Sequence, residues 1–251
     1  MKHILEVVGL RKQFGGVHAV EDLHFSVKKN SITGLIGPNG AGKTTAFNLI
    51  TQFLSADGGT VFYSGSALPH ARPEKVVRQG IARTFQQIRV CKTLTVRENL
   101  LLACSKEYDC WWDCFRRRDE RVLNENVDNM LKTIGLEHMS ESEASELSYG
   151  QSKLVELART LMTEAEVILL DEPASGINPT LLLTIEKMIL DLKKSGKTIF
   201  VIEHNLPFLM RISDEIVAMA DGKFLCQGTP EEVQQNKQLL AAYLGDTDFK
   251  C

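Results

Sequence analysis

An α/β fold with a parallel sheet, a β-rich N-terminal part and a helical insertion is predicted by three features of this 251-residue sequence. Short apolar runs at 32–36, 167–170 and 198–202 read as buried strands, with helical patterns between them. A glycine-rich stretch joins the first of these runs to a helix, and two acids, Asp171 and Glu172, close the second. Strand-helix-strand alternation of this kind argues for a parallel sheet that binds its ligands at the strand C-terminal ends.

The elements follow in order. Residues 4–8 form a short apolar run, and Leu23, Phe25 and Val27 alternate with polar residues, the period of a half-buried strand. After the glycine-rich stretch, Phe47, Leu49, Ile50 and Leu54 mark a helix, and 60–63 and 81–85 are further strand candidates. From about 94 to 160 the texture changes: Leu123, Val127, Met130, Leu131 and Ile134 fall at helical spacing, as do Leu154, Leu157, Ala158 and Leu161. Beyond it, Leu181, Ile185, Met188, Ile189 and Leu192 predict a helix ended by Ser195-Gly196. Residues 216–219, Asp221-Gly222 and 224–226 read as a hairpin. The expected organisation is one domain over 1–251, its core drawn from 1–93 and 161–251, with the helical part over 94–160.

Composition excludes some classes. A net charge of -3 gives no electrostatic reason to propose a nucleic-acid partner, whose phosphates call for a basic surface, and leaves room only for a local basic patch. No apolar run reaches the roughly 18–20 residues that span a bilayer. The N-terminus meets Glu6 at once and has no secretory apolar region, which predicts a cytosolic chain or one peripheral to the cytosolic face of a membrane. Six cysteines lie at irregular spacing, and Cys110 and Cys114 have no second Cys/His pair to complete a zinc site, so reduced thiols are expected.

The chemistry lies in a few motifs. Gly37-Pro38-Asn39-Gly40-Ala41-Gly42-Lys43-Thr44-Thr45 fits G-x-x-x-x-G-K-[ST] between a strand and a helix. Its backbone N–H groups and the helix N-terminus suit a phosphate chain, Lys43 the β/γ-phosphates, and the Thr44 hydroxyl Mg²⁺. Asp171 fits the Mg²⁺-holding acid of phosphate-loop hydrolases, and Glu172 can orient and deprotonate a water. Ser148 and Gln151 form S-x-x-Q, a capping box that opens an amphipathic helix and, with Gly150, offers an anion site at its N-terminus. His204 ends a third apolar strand on the same predicted sheet edge.

Phosphate loop, Leu147-Ser148-Tyr149-Gly150-Gln151, Asp-Glu strand and trailing histidine, in this order, resemble the nucleotide-binding subunit of an ATP-binding-cassette (ABC) transporter over nearly the whole chain. The resemblance implies the ABC ATPase fold, ATP and Mg²⁺, transmembrane permease subunits, a second ATPase subunit and, indirectly, an external solute-binding protein. It further implies that Gln86 touches Mg²⁺ and senses the membrane partner, and that Phe14 stacks on adenine, where a buried core Phe is the alternative. Two such subunits meet head to tail, so Ser148, Gly150 and Gln151 of one face the phosphate loop of the other.

Tyr149 in place of a glycine and Asn178 in place of an aspartate resemble the branched-chain amino acid importer group, as do Gly80-Ile81-Ala82-Arg83-Thr84-Phe85-Gln86 and the ending Ala242-Tyr243-Leu244-Gly245. A urea or amide importer, a lipopolysaccharide-type exporter, and a soluble ABC ATPase not coupled to transport are the alternatives. Trp111, Trp112, Phe115 and Arg116-Arg117-Arg118 lie in the helical part, where the family meets its permease, or else pack within it.

Overall fold

The computed structural model describes residues 2–68, 73–84, 88–104, 120–163 and 165–244. The chain divides into two compact units: residues 1–83, 165–175 and 189–251, and residues 84–164 and 176–188.

The first unit holds two sheets. Strands β1 (His3–Phe14), β2 (Val17–Lys28), β4 (Gly58–Tyr63) and β5 (Ser66–Ala67) form an antiparallel sheet in the order β2-β1-β4-β5. The apolar run at 4–8 is thus only part of a twelve-residue strand. The pattern fades because Arg11, Lys12 and Gln13 are polar, while backbone pairing with β2 continues through the Gly15-Gly16 turn. Both glycines have positive φ (49° and 92°), as a tight hairpin requires.

The second sheet runs β10-β9-β3-β8-β7-β6, built from β3 (Ile32–Ile36), β6 (Ile81–Arg83), β7 (Val167–Asp171), β8 (Thr198–Ile202), β9 (Glu215–Ala220) and β10 (Lys223–Gly228). All its neighbours are parallel except the β9–β10 hairpin. Strands β3, β7 and β8 are buried at every position, which is why they read as mainly apolar runs rather than alternating ones. Their register, Leu35 opposite Ile202 and Ile202 opposite Asp171, aligns three C-terminal ends along one edge.

Helix α1 (Lys43–Ile50) inserts Phe47 beside Phe200 of β8 (centroids 4.9 Å apart), and Phe200 also meets Phe25 of β2 (5.3 Å). This aromatic cluster knits the two sheets into one core. Leu54, expected on α1, lies beyond its end: the helix stops at Ile50, the Thr51 hydroxyl donates to Phe47 O (2.6 Å), and Gln52 takes a positive φ of 60°. Leu54 still packs against the core. The strand expected over 81–85 is described as Ile81–Arg83; Phe85 lies outside the described residues.

In the second unit, α3 (Val96–Cys104), α4 (Glu120–Ile134) and α5 (Tyr149–Leu161) pack on one another. Helix α2 (Pro73–Arg78) belongs to the first unit, and α6 (Pro179–Lys194) begins in the second and ends in the first. No described helix is long and apolar enough to cross a membrane.

Candidate nucleotide site

In the first unit the phosphate loop leaves β3 and enters α1. Gly42 is the N-cap of α1 with φ 90°, and a Cβ there would lie 2.2 Å from Ala19 O, so only glycine fits. Pro38 O accepts from Ala41 N–H (3.1 Å), and Gly222 N–H donates to Ala41 O (3.2 Å), closing the loop against the β9–β10 turn. Asn39 and Gly40 at its crest are exposed. Lys43 is buried, and its Nζ donates to Gly37 O (2.6 Å) and Pro38 O (2.9 Å). Burial pushes its ammonium below the ordinary 10.5, and the negative charge of Glu172 partly offsets this. The Thr44 side chain is exposed and Thr45 half-buried.

Asp171 ends β7 and is 3% exposed. Its Oδ2 accepts from Arg83 Nη2 at 2.8 Å, while Arg83 Nη1 donates to Asn48 Oδ1 (2.7 Å) and Thr51 Oγ1 (3.0 Å) of the α1 region. Arg83 therefore ties β6, β7 and α1 together around Asp171. Motif reading gave Arg83 no role; its position on a buried strand, an unusual place for an unpaired cation, was the available signal.

Glu172 takes φ +49°, a strained conformation for a non-glycine residue. It is held there by its N–H donating to Ile202 O (2.9 Å) and by Ser175 N–H donating to its carbonyl (3.2 Å). The turn brings Glu172 Oε1 within 2.9 Å of His204 Nε2. The Glu172 side chain is 16% exposed and that of His204 46%, so the pair stands at the mouth of the sheet edge.

Phe14 is 45% exposed at the end of β1, with Lys12 Nζ 5.4 Å from its ring centre. Phe14 is therefore not a buried core residue. Gln86 and the segment carrying Trp111, Trp112, Phe115 and Arg116-Arg117-Arg118 lie outside the described residues.

The remaining residues belong to the second unit. Ser148 caps α5, and the capping box is complete: Ser148 Oγ accepts from Gln151 N–H (3.4 Å), and Gln151 Oε1 accepts from Ser148 N–H (2.9 Å). The Ser148 hydroxyl also donates to Gln151 Oε1 (2.8 Å), so Gln151 serves the cap here. Ser148 is exposed and Gly150 half-exposed, leaving the α5 N-terminus open to an anion. Tyr149 is 54% exposed, and a Cβ on Gly176 (φ 71°) would come within 3.0 Å of its ring. Asn178 Oδ1 accepts from Leu181 N–H (2.9 Å), so the amide caps α6 as an aspartate would.

The sequence profile of the family described as "ABC transporter" matches residues 20–175. The chain belongs to the ABC transporter family. This cassette is 36% identical over 253 residues to a probable branched-chain amino acid transport ATP-binding protein, LivG, of Archaeoglobus fulgidus, covering 99% of this chain and 98% of that one. It is 37% identical over 250 residues to the high-affinity branched-chain amino acid transport ATP-binding protein BraF of Pseudomonas aeruginosa, covering 97% and 98%. Among solved structures it is similar to MJ1267, an ATP-binding cassette of an ABC transporter in its ADP conformation, with TM-score 0.84, 34% identity, and 98% and 100% of the two chains covered.

Proposed function

We propose that this cassette is the ATP-hydrolysing subunit of an importer that takes up branched-chain amino acids or a similar small polar solute through a membrane permease. The observation that carries the hydrolytic reading is the Glu172–His204 pair, 2.9 Å apart, beside a phosphate loop whose Lys43 feels the charge of Glu172. The substrate class rests on relatives named as branched-chain amino acid transport proteins and matched over nearly their whole length.

ATP lies with its phosphates along residues 37–45 and its adenine on Phe14. Water attacks the γ-phosphorus in line, the bond to the ADP oxygen breaks, and Glu172 takes the water's proton. His204 orients Glu172 and, with Lys43 and the loop amides, offsets the charge that develops on the γ-phosphoryl oxygens. An exposed hydroxyl, Thr44, and a carboxylate, Asp171, are hard oxygen donors that suit Mg²⁺, with Gln86 added by family resemblance. When bound, that ion supplies positive charge to the β- and γ-phosphates.

Ser148 and Gly150, at the open end of α5, bind the γ-phosphate of ATP on a second cassette, either a copy of this chain or a paralogue. The assembly sits peripherally on the cytoplasmic face of the membrane, against its permease.

The test is Glu172→Gln. The purified variant is expected to bind ATP and accumulate as a dimer, with turnover reduced about 10²–10⁴-fold. Cells carrying it as their sole copy should lose leucine uptake. Near-normal phosphate release would remove Glu172 from the role, and loss of urea uptake instead of leucine uptake would reassign the substrate.

A further inference from the structure

Glu203 follows the fully buried strand β8 and is itself 3% exposed. Its two carboxylate oxygens face different loops. Oε1 accepts from Ala174 N–H at 2.5 Å, two residues beyond Glu172. Oε2 accepts from His204 N–H at 3.0 Å and Asn205 N–H at 3.3 Å. A carboxylate this buried is retained at a cost unless its acceptors are filled, and here backbone donors fill both ends.

The bridge lies just outside the bond from Glu172 N–H to Ile202 O, so the two strand-end loops are joined at two successive points. One loop carries Glu172 at its strained φ of 49°, the other His204. We propose that Glu203 is a positioning residue that clamps the β7 and β8 loops together and so holds Glu172 and His204 as one pair. The proposal rests on the roles given to Glu172 and His204 above.

The chemistry selects the test. Both oxygens of a carboxylate accept, whereas an amide of the same shape has one acceptor and one donor group. Glu203→Gln therefore keeps the volume and sets an NH₂ against a backbone N–H at one end, whichever way the amide turns.

In the full-length variant, steady-state phosphate release and titration with a fluorescent ATP analogue are to be measured together with the Glu172→Gln variant. We expect kcat to fall about tenfold or more, because catalytic groups lose their register, with nucleotide affinity within about twofold of the parent. A smaller fall in kcat overturns the proposal. So does a parallel loss of kcat and ATP affinity, or failure to fold, since each makes Glu203 a merely structural residue. If Glu172→Gln turns over normally, the catalytic reading itself fails; if it is inactive while Glu203→Gln is normal, only the clamp fails.

Discussion

Arg83 and Asp171 are 7% and 3% exposed, and each would be an expensive charge to bury alone. Together they form an ion pair at 2.8 Å, and Asn48 and Thr51 take two of the remaining guanidinium bonds. The Arg83 guanidinium carbon also lies 5.6 Å from the Phe47 ring centre and 5.8 Å from that of Phe53, which suits a planar, weakly hydrated cation. Removing one partner of such a pair costs more than the pair contributes. Arg83→Met is expected to destabilise the cassette by about 3–5 kcal/mol in urea denaturation. It should also lower turnover, because Asp171 loses the contact that fixes one of its oxygens.

At the scale of elements, two helices begin on motif residues and end on local chemistry. Helix α1 starts at a glycine whose backbone no other residue could adopt without meeting Ala19 O, so loop and helix are inseparable. Helix α5 starts at the Ser148–Gln151 box. Ser148→Ala removes the acceptor for Gln151 N–H and is expected to cost about 1 kcal/mol of stability, read from a denaturant midpoint. The proposed anion role makes a second demand on the same hydroxyl, so turnover should fall by more than that loss of stability explains. Tyr149 and Gly176 explain each other's presence: the ring occupies the space where a side chain at 176 would stand.

At the scale of the whole molecule, the phosphate loop, Asp171, Glu172 and His204 belong to one unit, and Ser148, Gly150 and Gln151 to the other. If each reaction site takes its loop from one cassette and its α5 N-terminus from a second, dilute cassettes hydrolyse ATP in proportion to the dimer they form. Initial ATPase rate should then rise with about the square of chain concentration when most chains are monomeric. A rate linear in concentration over that range would show that one chain completes the site alone.

What the sequence by itself determined was whatever depends on neighbours three or four residues apart. The phosphate loop, the capping box, the buried strand runs and the Ser195-Gly196 stop are local, because turn geometry, helix capping and side-chain periodicity act over that distance. Membership of the family was also legible, since motif order along the chain is a property of the sequence. Tertiary structure alone decided the rest. That β8 lies between β3 and β7, that Phe14 is exposed, that Arg83 reaches Asp171, and that Glu172 turns into the left-handed region to meet His204 all depend on pairing between distant segments. A sheet edge is assembled from strands more than a hundred residues apart, as β3 and β8 are, and no local pattern specifies which end lands beside which.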